Sequence, residues 1–121
     1  MKSETYHIGE ADERPWGTWQ VLDIMPKAVV KKIVVEPGCR ISLQRHRFRS
    51  ERWIVVEGAA TVQKDDEVFT LHPGQCAFLP QMCKHRLSNE GTVPATLIEI
   101  QYGEMLSEED IERFNDDYGR S

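Results

Sequence analysis

Apolar residues in this chain recur in short runs, closed by turn signals at intervals of roughly ten residues, a pattern that favours strands over helices. The runs lie at 18–22, 29–35, 40–46, 53–56, 59–63, 67–71, 76–79, 85–87 and 95–102. Between them stand Glu36-Pro37-Gly38, Glu57-Gly58, Asp65-Asp66, Pro73-Gly74 and Pro80, residues that reverse an extended chain or break its hydrogen-bonded ladder. Such a series predicts an all-β sandwich or barrel. The pattern changes only at Ser107. There a hydroxyl residue followed by Glu108, Glu109 and Asp110 resembles a helix N-cap with acidic residues in the first turn. Ile111 and Phe114, three apart, would then face the barrel, which predicts one short C-terminal helix over 107–116.

A length of 121 residues suits one domain with a core of its own. The opening residues are polar and aperiodic, so 1–13 are expected to form an N-terminal arm and 14–121 a single domain. A net charge of −5 without a dense Lys/Arg run argues against nucleic acid and membrane as partners. The local basic clusters at 40–52 and 84–86 suit a small anion instead. No apolar leader segment and no membrane-length run is present, so the chain reads as soluble and cytoplasmic. Cys39, Cys76 and Cys83 form no C-x-x-C pair and read as reduced thiols, buried or half-buried. Trp16, Trp19 and the run at 29–35 suit either the core or an edge that pairs with a second copy into a homodimer.

The chemistry-bearing residues stand on otherwise apolar strands. Gln44 and His46 are two apart and project from one face. Glu51 follows at the head of the next strand, sharing parity with Trp53 and Val55, and His85 lies on a later strand beyond Pro80. An amide oxygen, two imidazoles and a carboxylate make a borderline ligand set for one divalent ion, with Zn the first choice and Co, Mn, Ni or Fe the alternatives. His7 and His72 show no such pattern. The spacing adds specificity. Gly38, Gln44, His46, Glu51 and Gly58 are separated by five, one, four and six residues, and Gly74, Pro80, His85 and Asn89 by five, four and three. These spacings resemble the two cupin motifs, with Gln44 in place of the usual first histidine and Met82 in place of an internal glycine. The resemblance implies a double-stranded β-helix (jelly-roll) barrel.

A closer likeness runs from Arg14 to Arg120. Arg-Pro-Trp-Gly at 14–17, Val-Glu-Pro-Gly-x-x-x-Ser-Leu-Gln at 35–44, Arg-x-Glu-x-Trp-Ile-Val-Val at 49–56, Pro-x-x-x-Lys-His-Arg-Leu at 80–87 and Asp-Ile-x-Arg-Phe-x-Asp-x-Tyr-Gly-Arg at 110–120 resemble the type II mannose-6-phosphate isomerase cupin. That module also ends the bifunctional mannose-1-phosphate guanylyltransferases; here it is expected to stand alone. The resemblance implies a metal-dependent aldose–ketose isomerase acting on mannose 6-phosphate and fructose 6-phosphate, with its metal on Gln44, His46, Glu51 and His85. Three residues depart from the family pattern and are expected near the pocket mouth: Phe48, Arg52 and Met82. They motivate a second reading, a cupin in polysaccharide or nucleotide-sugar metabolism that binds metal and sugar with altered substrate or no turnover. A third, an Fe-dependent oxygenase, is disfavoured by Gln44.

Isomerisation moves a proton between adjacent carbons and needs a base of suitable pKa. Glu99, a glutamate in the family too, is the first candidate, although its alternation with Ile98 and Ile100, shared with Gln101, equally fits a solvent-facing pair. Lys84 is the second candidate, pointed away from His85 by strict alternation. For the phosphate, Arg40 shares parity with Gln44 and His46, and Arg49, Arg86, Arg113 and Arg120 stand at family-like positions.

Overall fold

In the computed structural model, which describes residues 6–118, the strand series forms two antiparallel sheets. The larger has the order β1-β2-β3-β10-β5-β8, built from β1 (Ala11–Arg14), β2 (Gly17–Met25), β3 (Ala28–Val35), β5 (Arg49–Glu57), β8 (Cys76–Leu79) and β10 (Ala95–Gly103). The smaller has the order β11-β4-β9-β6-β7, from β4 (Leu43–Arg45), β6 (Ala60–Lys64), β7 (Glu67–Leu71), β9 (His85–Ser88) and β11 (Glu112–Asn115). The inward residues of both sheets share one apolar core, as expected of the double-stranded β-helix. No helix of the described residues is long and apolar enough to cross a membrane.

The inner face of the larger sheet is divided along its length. At one end Val35, Val55, Ala95 and Leu97 are fully or nearly buried, in the register Leu97↔Val55, Leu97↔Ile33 and Ala95↔Val35. At the other end the inward positions are polar, in the register Gln101↔Glu51, Glu99↔Trp53 and Glu99↔Lys31. Period-two alternation thus puts Glu99 and Gln101 inside and leaves Ile98 and Ile100 on the outer face, which settles the two alternatives of the sequence in favour of burial.

Two motif positions are explained by backbone geometry. Gly58 has φ +75°, and a Cβ there would stand 2.6 Å from the carbonyl oxygen of Pro94, so only glycine fits. Asn89 is fully buried and works as a clamp: its amide nitrogen donates to the carbonyls of Val35 and Val93, and its side-chain oxygen accepts from Gly91 N.

Four expectations are corrected. No helix forms over 107–116. Asp110 N donates to Ser107 O and Glu109 N to Ser107 Oγ, so Ser107 caps a single turn, after which the chain extends and pairs with β4 as β11. Arg86 fastens that strand by donating to the carbonyl and side-chain oxygens of Asn115, a tertiary tie that overrides the local helical signal. Ile111 and Arg113 line the interior, whereas Phe114 lies outside beneath Arg45 and Lys84. The arm expected at 1–13 is not loose where described: Tyr6 is buried edge-on against Trp19, and Ala11–Arg14 pairs with β2. Trp16 and Trp19 are core residues, each 7% exposed. Cys76 is exposed, while Cys39 is half-buried and Cys83 buried, all three as free thiols.

Met82, where the family has glycine, has φ +71°. Its N–H donates to the carbonyl of His46, which holds the turn in this conformation, and a side chain in the left-handed region costs about 1 kcal/mol. Met82→Gly is therefore expected to raise the thermal midpoint by about 3 °C in calorimetry. An unchanged or lower midpoint would show that the Met82 side chain offsets its own strain.

Candidate metal centre

The ligand-type residues converge at the polar end of the barrel. Gln44 sits on β4 in direct register with His85 at the start of β9, His46 follows β4, and Glu51 is in the inner row of β5, next after Arg49. His46, Glu51 and His85 are each 2% exposed, and their ligand atoms all lie within 4.8 Å of one another. His46 Nε2 is 3.2 Å from Glu51 Oε2, and His85 Nε2 is 3.8 Å from Glu51 Oε1.

The neighbours fix which ring nitrogens carry protons. His46 Nδ1 lies 2.6 Å from the carbonyl of Asp110, and His85 Nδ1 3.2 Å from that of Cys83. A carbonyl only accepts, so each Nδ1 donates and each Nε2 presents a lone pair. Burial and then the Arg49 charge push His46 down to about 3. Burial likewise lowers His85, so both rings are neutral. Burial would protonate Glu51, but the Arg49 guanidinium, His85 and a hydrogen bond with Glu99 together outweigh it and hold the carboxyl below its usual range. The Arg49 guanidinium reaches the His46 Nε2 lone pair at 3.3 Å as well as Glu51, whereas His85 Nε2 is buried with no hydrogen-bond partner. Two imidazole nitrogens and a carboxylate brought together in this way are a donor set that fits a divalent ion of the zinc type. Gln44 lines the adjoining cavity, where its amide nitrogen donates to Ser42 Oγ and leaves the carbonyl oxygen as the ligand-type atom.

Residues not singled out in the sequence hold this cluster in place. Besides taking the His46 proton on its carbonyl, Asp110 accepts from the backbone N–H groups of Arg47 and Phe48 through its carboxylate, fixing the β4–β5 loop. Only its position at the head of the C-terminal motif could have flagged it. Arg49, placed among the phosphate candidates by the sequence, lies within the cluster: it donates to Glu51 Oε2 at 2.8 Å and to Ser107 O at 2.9 Å. Trp53 packs edge-on against His85 and donates its Nε1–H to Glu99.

Glu99 lines the cavity, 5% exposed, and takes a second hydrogen bond from Gln101 Nε2. Burial and then the charge of Glu51 push it up to about 7, against the pull of Lys31. Two neighbouring carboxyls are thus split, one anionic and one poised near neutrality.

The remaining candidates scatter. Arg113 lines the cavity. Arg40 forms a two-point pair with Asp117 on the surface, its side chain 44% exposed, so its strand parity does not carry it inside. Arg86 is committed to Asn115 and the Ile41 carbonyl. The Lys84 ammonium lies over the outer face of Phe114, 4.3 Å from the ring centre, as strict alternation would place it. Arg120 lies outside the described residues. Phe48 and Met82 are exposed, Arg52 stacks on Phe78, and none of the three is among the cavity-lining residues. The sequence reading missed two cations that do line the cavity, Arg14 and Lys31; Lys31 was hidden inside an apolar run.

A family model described as mannose-6-phosphate isomerase C-terminal matches residues 2–116. The chain is 46% identical over 120 residues to the alginate biosynthesis protein AlgA of Pseudomonas aeruginosa, spanning 99% of this chain and 25% of that protein. It is 43% identical over 100 residues to a mannose-1-phosphate guanylyltransferase of Salmonella muenchen, spanning 83% of this chain and 21% of that protein. The chain thus covers about a quarter of the length of the curated relatives it matches. Among solved structures it resembles a double-stranded β-helix domain protein of Klebsiella pneumoniae, with a TM-score of 0.70, 18% identity, and coverage of 93% of this chain and 90% of that one, a likeness of fold.

Two outcomes are expected of the metal-free protein. Because Glu99 binds its proton more tightly folded than unfolded, it adds stability that is complete below the ordinary carboxylate range and lost as pH rises through about 7. The neutral, buried His46 and His85 give the opposite slope over the same window, so the Glu99 contribution is read as the stability difference between wild type and Glu99→Gln, which should fall from pH 5 to pH 8 by at most about 3 kcal/mol. A difference that does not change with pH would remove Glu99 as its source. Asp110→Ala keeps the backbone carbonyl that accepts from His46 Nδ1 but removes the carboxylate that ties this turn to the 47–48 backbone, loosening the His46 loop, and should weaken zinc binding by about 10- to 100-fold in a chelator competition. Wild-type affinity in that variant would mean that Asp110 does not position the ligand.

Proposed function

Because the chain belongs to the mannose-6-phosphate isomerase C-terminal family, we propose that it is a metal-dependent aldose–ketose isomerase interconverting mannose 6-phosphate and fructose 6-phosphate. The observation that carries the reading is the placement of Glu99, a carboxyl poised at about 7, beside the cluster of His46, Glu51 and His85. A divalent ion on His46, Glu51, His85 and Gln44 would supply a Lewis acid that stabilises negative charge developing on the sugar's carbonyl and hydroxyl oxygens. Glu99 would take the proton from the carbon beside the carbonyl while the carbonyl electrons move onto its oxygen, and, once the hydroxyl proton has crossed to that oxygen, return the proton to the former carbonyl carbon, a task that favours a group equally able to accept and release. Trp53 Nε1–H and Gln101 Nε2–H donate to its two oxygens and fix the plane of the carboxyl. Arg49 favours the anionic form of Glu51, so that the proton the two neighbouring carboxyls share resides on Glu99.

The alternative of a metal- and sugar-binding cupin without turnover rested on Phe48, Arg52 and Met82. Their position away from the cavity lining takes weight from it. Lys84, over Phe114, is poorly placed to act as the base, which leaves Glu99.

The test is a coupled assay of fructose 6-phosphate formed from mannose 6-phosphate by protein stripped of metal and reloaded with Zn, Co, Mn or Ni in turn. Turnover should return with metal and be lost in His46→Ala and His85→Ala together with metal binding. Glu99→Gln should keep its metal and lose about 10²- to 10⁴-fold in kcat. Tight metal binding by the wild type with no turnover on this pair would reject the isomerase.

A further inference from the structure

Lys31 is a buried cation whose counter-ion is not buried. Its side chain is 4% exposed, whereas that of Glu108, which it meets at 2.8 Å, is 38% exposed. The ammonium is bracketed by the rings of Tyr6 and Trp19, 4.1 and 4.2 Å from their centres, so it is held at the cavity wall. Arg14 reaches the other oxygen of Glu108 at 3.9 Å. The Tyr6 hydroxyl donates to Glu108 as well. A carboxylate is thus held by an ammonium, a guanidinium and a hydroxyl, donors of the kind that bind phosphate oxygens.

The mounting of Glu108 differs from that of its partners. Lys31 is on β3, in the middle of a sheet, and Arg14 ends β1. Glu108 stands on the turn at 107–110, outside every strand. A cation fixed in the sheet and a half-exposed carboxylate carried on a turn make an exchangeable pair, because another anion can take over the neutralisation that burial of Lys31 requires.

The place also suits a long ligand. Lys31 is directly opposite Glu99, which is opposite Trp53 on the strand that bears Glu51. The anion end thus lies two strand spacings, about 10 Å, from the strand of the metal cluster. Between them Gln101 Oε1 is fully buried, lines the cavity and lacks a hydrogen-bond partner, an acceptor left for a ligand hydroxyl.

We infer that Lys31 and Arg14 form a subsite for the phosphate of the ligand, and that Glu108 is its resident counter-ion, displaced when that phosphate enters. This rests on the sugar-phosphate reading and names where the phosphate is held.

The test uses metal-free protein and inorganic phosphate, read as the shift in thermal midpoint at ionic strength matched with KCl. Glu108→Gln removes the internal competitor and should bind phosphate at least about tenfold more tightly than wild type. Adding Lys31→Met, an apolar chain of similar length between the same two rings, should abolish the gain. Arg14→Gln, on a partly exposed side chain, should reduce the gain if the double variant does not fold. Equal phosphate response in wild type and Glu108→Gln, or a gain that survives loss of Lys31 or Arg14, overturns the inference. Neither readout involves metal or sugar. Turnover of mannose 6-phosphate with no gain in Glu108→Gln would sink the subsite alone, and a gain without turnover would sink the isomerase alone.

Discussion

Two neutral imidazoles and an anionic carboxylate, buried together around one guanidinium, are the arrangement around which the barrel's polar end is organised. Desolvating a carboxylate costs several kcal/mol unless charge and hydrogen bonds replace water. Arg49 supplies part of that replacement, at 2.8 Å from Glu51, and is itself anchored to the Ser107 carbonyl. The rest is missing from the protein's own atoms, and His85 Nε2 marks the gap. The strands hold these atoms in place, with Arg49 against Glu51 Oε2 and His46 Nε2.

The apolar end bears the cost. Val55, Val62, Leu87 and Leu97 are each 1% exposed or less, and side chains of this kind contribute about 1.5–3 kcal/mol apiece when fully buried. Three of them lie on strands that also carry residues of the site: Val55 shares β5 with Glu51, Leu87 shares β9 with His85, and Leu97 shares β10 with Glu99. Each strand is thus secured at one end and carries chemistry at the other. Unlike ligands on a loop, these side chains move only if the sheet moves.

Much of this was legible because strands have a strict period. Parity alone put Gln44 with His46 and Glu51 with Trp53, and turn residues marked where the runs end. What stayed hidden is what parity cannot supply. For Glu99 the alternation was plain but its sense was not, because a polar residue facing a polar interior looks like one facing water. Lys31 was lost inside 29–35, where its neighbours read as plain core. Arg40 failed for a different reason: it takes part only in an isolated bridge to Ser88, outside the regular strands, so its side chain was free to pair with Asp117. The C-terminal segment misled because Ser107, Glu108 and Glu109 do make a capped turn. Only the partner strand β4 and the Arg86 tie decide that no helix follows.

That turn joins two functions which look unrelated in the sequence. Glu108 reaches the ammonium of Lys31, and two residues on Asp110 fixes the His46 ring and the β4–β5 backbone. The Ser107 carbonyl meanwhile holds Arg49, the counter-charge of Glu51. Within one turn, three features of the backbone and side chains thus address the Lys31 ammonium, the His46 ring and the Arg49 guanidinium. If Glu108 gives way to an entering phosphate, the displacement acts on a segment that cannot shift far without disturbing His46 and Arg49. Occupancy at one end of the cavity and ligand geometry at the other are then linked through a short, hydrogen-bonded path, and such linkage is reciprocal: metal that locks His46 against Asp110 also limits how Glu108 can leave. On this argument the C-terminal motif is diagnostic because it supplies the segment that closes the barrel's polar end, not because its residues carry out the chemistry.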